Sequence, residues 1–199
     1  MVDGKDILAI FLSYAIGCVS TGYYLTRLWT GADIRKSGSC STGARNVGRI
    51  LGRIGFIVTF SGDFAKGLIA LWIASMLTQQ GWAIMASLLA VAIGHIWPAQ
   101  LGFHGGKGIA VSLGALLIFD YWLAVACCLV FFLCLVCLRK YMLSGLIAVA
   151  MAPAAAIVAG HSAVDIVGIT VLTLVILFAH RENIVDLIRK KNVEAGQTE

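Results

Sequence analysis

The sequence predicts an all-α integral membrane protein with about seven transmembrane helices, its N-terminus outside and its C-terminus in the cytoplasm. Of its 199 residues, 60% are hydrophobic and only 13% are charged, and the mean hydropathy is +0.92. A soluble domain is nearer half apolar and a quarter charged. Apolar runs of the ~20 residues that cross a bilayer recur along nearly the whole chain. The pattern indicates one membrane domain over residues 1–193 and a short polar cytoplasmic tail over residues 194–199.

The predicted spans cover residues 7–28, 54–77, 82–98, 108–119, 121–138, 142–160 and 165–179. The first run is too long for the core of a signal peptide and lacks a small-residue cleavage site, so we interpret it as a retained span. The fourth run is short, because ~12 residues reach ~18 Å against a ~30 Å hydrocarbon core. We expect a short fourth helix preceded by a loop partly within the membrane, with one continuous helix over 108–138 as the alternative.

The positions of Lys and Arg set the predicted orientation. These residues lie between spans one and two, three and four, and five and six, and after span seven: Arg27, Arg35, Lys36, Arg45, Arg49, Arg53, Lys107, Arg139, Lys140, Arg181, Arg189, Lys190 and Lys191. The opposite connections contain none. Because cytoplasmic loops accumulate Lys and Arg, we expect a multi-pass protein of the cell (inner) membrane whose polar loops face the cytoplasm.

Two loops on that face have the composition of anion sites. Residues 33–49 combine small hydroxyl residues and glycines with Arg45 and Arg49, which suits phosphate binding, although a flexible basic loop touching anionic headgroups explains the composition equally well. Residues 102–108 place glycines and Lys107 before a helix N-terminus, which favours anion binding over a membrane-edge turn with a snorkelling lysine. The spacing is not that of a nucleotide P-loop.

Polar residues inside the spans are the remaining candidates. Asp63 and Lys66 are three residues apart and can face each other, either as functional groups or as a structural ion pair. A lone intramembrane histidine such as His95 is more often a hydrogen-bonded strut than a catalyst. His180 and Asn183 share one helical face, although residues of this kind also suit a helix C-terminus.

The six cysteines indicate neither disulfides nor zinc. They lie mostly in apolar runs, where cysteine behaves as a small hydrophobic residue. Cys134 and Cys137 have the spacing of a redox or metal pair, but no other ligand types flank them. We expect no metal site.

In this order, the polar segments resemble the bacterial acyl-phosphate:glycerol-3-phosphate acyltransferase family (PlsY). The resemblance runs from about residue 16 to residue 193. It is carried by Gly17…Thr21-Gly22, Asp33-Ile-Arg-Lys-x-Gly-Ser39, Gly43-Ala-x-Asn-Val-x-Arg49…Gly52, Asp63-x-x-Lys66-Gly67, Gly94-His95-x-Trp-Pro98, Gly105-Gly-Lys-Gly108-Ile-Ala and His180-Arg-Glu-Asn183-Ile. No single element is decisive, but the ordered set is highly specific.

The resemblance implies a seven-span fold and a reaction at the cytoplasmic side. A fatty acyl group passes from acyl phosphate to the 1-hydroxyl of sn-glycerol 3-phosphate, giving lysophosphatidic acid and phosphate, with no cofactor, metal or coenzyme A. The implied partners are the two substrates, the lipid bilayer and the phosphate acyltransferase that supplies acyl phosphate; no nucleic acid is implied. The implied catalytic residues are Ser39, Lys107, His180 and Asn183. These four bind the substrate phosphates together with Arg49, Gly105, Gly106 and Gly108, and the supporting residues are Asn46, Asp63, Lys66 and His95.

The first loop departs from the family pattern. Ser41 stands where the family usually has asparagine, Arg45 where it has threonine, and Gly48 where it has a bulkier apolar residue. These changes leave open an acyl-phosphate enzyme with a different acceptor. A non-catalytic membrane paralogue and an organic-anion transporter are further alternatives. Against the transporter, the sequence shows no inverted repeat, and its polar residues cluster on one face.

Overall fold

The computed structural model describes residues 2–186 and 189. Within them the chain forms eight α-helices: α1 (Gly4–Cys18), α2 (Thr21–Thr30), α3 (Ala44–Leu77), α4 (Gly81–Ile96), α5 (Ile109–Phe119), α6 (Tyr121–Leu138), α7 (Tyr141–Val158) and α8 (Ala163–Ala179). Short 3-10 helices cover Ile34–Lys36 and Ala99–Leu101, and residues 181–186 are also helical. The all-α prediction is confirmed for the described residues. The predicted tail over 194–199 lies outside them.

Five helical segments are long and apolar enough to cross a membrane. They are Gly4–Thr30, Ala44–Leu77, Gly81–Leu101, Tyr121–Leu138 and Tyr141–Val158, while α5 and α8 are shorter apolar helices. Helix α6 is the most exposed of these segments, with large apolar side chains such as Leu133 and Val136 pointing away from the protein. Such a surface suits contact with lipid.

The predicted first span, residues 7–28, falls within one segment that is long enough to cross a membrane, Gly4–Thr30, but its helix breaks at Val19 and Ser20. Both residues are extended, which frees carbonyl groups from the helical hydrogen-bond ladder. Lys66 Nζ donates to the Val19 carbonyl at 2.5 Å, and the Gln100 side-chain amide donates to the Cys18 carbonyl. Donors from distant parts of the chain therefore bind the carbonyl groups that the break leaves without helical partners.

The second span begins ten residues earlier than predicted. Helix α3 starts at Ala44 and bends at Gly52, whose φ of 71° is readily adopted only by glycine. The basic residues Arg45 and Arg49 thus lie on the first turns of a helix rather than in a loop.

The short fourth helix is confirmed as a separate element. Asp120 is extended between α5 and α6, and its carboxylate accepts a hydrogen bond from Leu123 N at 2.8 Å, which caps α6. Helix α5 crosses α3 closely, since Gly67 lies against the Val111 backbone and Gly114 lies against the Phe64 backbone. The continuous helix over 108–138 is therefore excluded.

Candidate functional site

One cavity of about 540 Å³ joins most of the predicted site residues. Helices α3 and α5–α8 form most of its wall. Its polar lining comprises Ser39, Ser41, Arg45, Asn46, Arg49, Asp63, His95, Lys107, Ser112, Tyr141, Thr173, His180 and Asn183. The remaining wall is apolar and includes Phe60, Leu113, Leu116, Phe131 and Leu135. The cavity thus offers a polar region and an apolar region to one ligand.

Asn46 organises the first loop around its buried side chain. Its Nδ2 donates to the carbonyls of Ser37 and Ser41, both at 2.9 Å, and its Oδ1 accepts from Ser39 N at 2.9 Å. The loop is therefore wrapped around one amide, which holds Ser39 at the cavity. The Ser41 hydroxyl accepts a hydrogen bond from Gly43 N at 3.2 Å and so serves the loop itself.

The glycine-rich loop, residues 102–108, is hydrogen-bonded to the C-terminal end of α4. Gly106 N donates to the His95 carbonyl at 3.0 Å, and Gly105 N donates to the Ile96 carbonyl at 3.1 Å. Gly106 also lies against the His95 ring with no room for a Cβ atom. Gly105 and Gly106 lie behind the cavity, whereas Gly108 lines it. Thr42 N donates to the Gly105 carbonyl at 3.2 Å, which joins this loop to the first one.

Three cations converge on the polar region of the cavity. Arg45 and Arg49 project from the exposed start of α3, and Lys107 lies in the glycine-rich loop. Among the described residues, none of the three forms an ion pair. Partial burial lowers the pKa of Lys107, and so do the charges of the two arginines, while Glu182 opposes the shift. Lys107 Nζ donates to the side-chain oxygen of Asn183. The arrangement suits an anion.

His180 is held as a neutral hydrogen-bond acceptor. Its Nδ1 lies 2.8 Å from the Ile176 carbonyl, and because a carbonyl only accepts, Nδ1 carries the proton. Nε2 is then left with a free lone pair. Burial lowers the pKa of His180; the hydrogen bond to Ile176 opposes that shift, and the charges of Lys107 and Arg45 add to it.

Asp63, Lys66 and His95 form a buried cluster beside the cavity. Lys66 Nζ lies 3.1 Å from Asp63 Oδ1 and 2.9 Å from His95 Nδ1, and also binds the Val19 carbonyl. Lys66 itself does not line the cavity, but Asp63 and His95 do. Lys66 therefore links the backbone at the break between α1 and α2 with two side chains of the cavity wall, Asp63 and His95.

Three polar residues of the cavity wall were not predicted from the sequence. Ser112 and Thr173 are hydroxyl residues in the apolar helices α5 and α8, and Tyr141 begins α7 after a basic connection. None belongs to a recognisable spacing, so the only available signal was a polar group at an apolar position. Within the described part of the chain, no group of histidine, cysteine and acidic residues could hold a metal ion.

Comparisons with known proteins agree with this architecture. The family model described as glycerol-3-phosphate acyltransferase matches residues 7–190. Glycerol-3-phosphate acyltransferase 1 of Desulfitobacterium hafniense is 41% identical over 187 residues, covering 94% of this chain and 93% of the relative. The corresponding protein of Bacillus cereus is 37% identical over 182 residues, covering 92% and 100%.

Two solved structures have the same fold. The crystal structure of the integral membrane acyltransferase PlsY in its glycerol 3-phosphate form superposes with a TM-score of 0.87 at 31% identity, covering 94% of each chain. The lysophosphatidic acid form gives a TM-score of 0.83 at 30% identity, covering 94% of this chain and 93% of the other.

Proposed function

The chain belongs to the glycerol-3-phosphate acyltransferase family, and from this premise we propose a complete reaction for the cavity. As a member, the protein is an integral membrane enzyme that acylates glycerol 3-phosphate to lysophosphatidic acid. We propose that the donor is acyl phosphate and that the acceptor oxygen is the 1-hydroxyl. The supporting observation is a single cavity that joins an apolar wall to three cations, none of which forms an ion pair with another described residue. Such a cavity matches a product with a phosphate and an acyl chain.

The cationic region binds and stabilises phosphate in this proposal. Acyl phosphate is already activated, so the enzyme mainly positions the hydroxyl and offsets charge on the departing phosphate. Lys107 and Arg49 serve the second task, and Asn183 fixes the lysine. Arg45 adds a cation beside the acceptor phosphate, where the Ser41 oxygen accepts from Gly43 N and, among the described residues, its O–H remains free to donate. Ser39 supplies a further donor.

His180 accepts a hydrogen bond from the 1-hydroxyl of the acceptor in this proposal. As the 1-hydroxyl oxygen forms its bond to the acyl carbon, the bond from that carbon to the phosphate oxygen breaks. The hydroxyl proton passes to Nε2 of His180, or to a substrate phosphate oxygen. A neutral imidazole whose other nitrogen is bound to a backbone carbonyl is well placed for this role.

The lowered pKa of His180 predicts the pH dependence of activity. Only the neutral ring accepts a proton, so His180 should not limit kcat/KM at neutral pH. On the alkaline side kcat/KM should fall as Lys107, whose pKa is lowered from its usual value, loses its charge. It should also fall on the acid side, below the usual histidine value of about 6.5. The measurement is kcat/KM for glycerol 3-phosphate across pH, with His180→Asn as the control. An acid limb that persists in His180→Asn would belong to a substrate phosphate and would contradict the assignment.

We also propose the seven-span topology, with the cavity facing the cytoplasm. The five longer segments together with α5 and α8 then make the seven spans, and the cationic loops lie on one side of the membrane. Gly81 has open space around it, so Gly81→Cys is tolerated. In a background with the exposed Cys40 and Cys137 changed to serine, a membrane-impermeant maleimide should label Gly81→Cys on intact cells. The matched variant Arg53→Cys should be labelled only after permeabilisation, and the reverse pattern would overturn the orientation.

The test of the reaction is an assay of purified protein with palmitoyl phosphate and glycerol 3-phosphate. We expect lysophosphatidic acid and inorganic phosphate in equal amounts. Palmitoyl-coenzyme A in place of palmitoyl phosphate should give no product, and product from the thioester alone would overturn the proposed donor. Other polyols and polyol phosphates, tested in parallel, decide whether the divergent first loop has altered the acceptor.

A further inference from the structure

Two buried polar groups on the cavity wall have no role in the reaction above. We propose that Asp63 on α3 and Ser112 on α5 form a hydroxyl subsite that holds the 2-hydroxyl of the glycerol acceptor and so determines acceptor specificity. This inference rests on the proposed function and adds residues that select the substrate.

Asp63 presents one free carboxylate oxygen. The residue is 2% exposed, and its Oδ1 is ion-paired with Lys66 Nζ at 3.1 Å. Its Oδ2 accepts no hydrogen bond within the described part of the chain, and Asp63 lines the cavity, so Oδ2 is the oxygen available to a ligand. A buried carboxylate oxygen without a donor is costly, which favours a ligand that supplies one.

Ser112 presents a second unsatisfied group. It is 5% exposed, and its hydroxyl has no partner within the described residues. Thr173, another hydroxyl residue on the helical wall, differs because it donates to the Val149 carbonyl at 3.1 Å. That carbonyl is left free by Pro153, which has no N–H to offer it. Ser112 thus keeps its hydrogen-bonding capacity for a ligand.

The close crossing of α3 and α5 places the two groups on neighbouring helices near the point of contact. Gly67 and Gly114 allow the two backbones to meet without intervening side chains. Asp63 precedes Gly67 by one helical turn, and Ser112 precedes Gly114 by two residues on the opposing helix. Both side chains line the same cavity from adjacent helices.

The order of groups along α5 matches the order of groups in the product. Lys107 precedes the helix at the phosphate-binding region, Ser112 follows within its first turn and a half, and Leu113 and Leu116 continue into the apolar wall. Lysophosphatidic acid carries a phosphate, then a free 2-hydroxyl, and then an acyl chain. A hydroxyl that donates to Asp63 and accepts from Ser112 fits the middle position.

The test compares two acceptors on one enzyme preparation. Glycerol 3-phosphate has the 2-hydroxyl, whereas 3-hydroxypropyl phosphate lacks it but retains the primary hydroxyl and the phosphate. The readout is the ratio of their kcat/KM values with palmitoyl phosphate, which does not depend on the fraction of folded protein. Wild-type protein should prefer glycerol 3-phosphate. Ser112→Ala should reduce that preference about tenfold, the scale of one hydrogen bond in a buried site.

Asp63→Asn is the second variant and should also reduce the ratio, because it replaces a charged acceptor with a neutral one. Ser87→Ala is the matched control: Ser87 is fully buried and its hydroxyl has no partner among the described residues, but it does not line the cavity. Its ratio should equal that of the wild type. If wild-type protein acylates glycerol 3-phosphate but Ser112→Ala keeps the wild-type ratio, the subsite is wrong. If wild-type protein acylates neither acceptor, the proposed function itself fails.

Discussion

Lys107→Ala should lower kcat by at least about a hundredfold, the scale seen when one charge-stabilising group is removed from an active site. The lysine is half-buried, lies in the cavity and forms no ion pair among the described residues, so its charge is available to a ligand. Negative charge builds on the departing phosphate during acyl transfer. A charge that acts mainly in the transition state changes kcat and kcat/KM together.

The measurement is steady-state kinetics with palmitoyl phosphate and glycerol 3-phosphate. Lys36→Ala provides the control, since Lys36 is an exposed cation of the neighbouring loop that does not line the cavity. It should retain near-normal turnover. If Lys107→Ala also does so, the lysine is a snorkelling residue at the membrane edge and the phosphate site must be elsewhere.

Arg49→Ala should cause a loss of similar size. A guanidinium binds phosphate through two parallel hydrogen bonds, and no ammonium group reproduces that geometry. Arg49→Lys, which keeps the charge, should therefore remain at least about tenfold below the wild type. The two variants separate the contribution of charge from that of the planar fork.

Arg53 offers a close control for Arg49. It lies one helical turn further along α3, beyond the bend at Gly52, and it is exposed and outside the cavity lining. Arg53→Ala should leave both kinetic constants near their wild-type values. Equal losses in Arg49→Ala and Arg53→Ala would indicate a general effect of basic charge near the membrane instead of a specific contact.

The family, the helical class and the separate short α5 all followed from the sequence. Apolar runs can be recognised locally, because a helix in lipid must satisfy its own backbone hydrogen bonds within each segment. The motifs that carry the family resemblance are likewise continuous stretches, and the comparisons confirmed it. The number of crossings and the orientation remain predictions from the charges of the loops.

The break at Val19 and the bend at Gly52 were decided only by the tertiary structure. A hydropathy pattern predicts an unbroken helix through Val19, and the reason for the break is a lysine 47 residues away that binds the freed carbonyl. Gly52 permits a positive φ, but glycine is also common inside membrane helices, so its presence alone does not locate a bend.

Residue types and their order identify the polar segments that supply the site, whereas the packing of the helices fixes which atoms face the ligand. Composition placed Lys107, Arg49 and His180 among the candidates, because charge and hydrogen-bonding capacity are properties of single residues. Two features could not be predicted in that way: the engaged amides of the glycine-rich loop, and the Ser112 hydroxyl, which has no partner within the described part of the chain. Whether a polar group is satisfied depends on partners from other helices, and only packing brings those partners together.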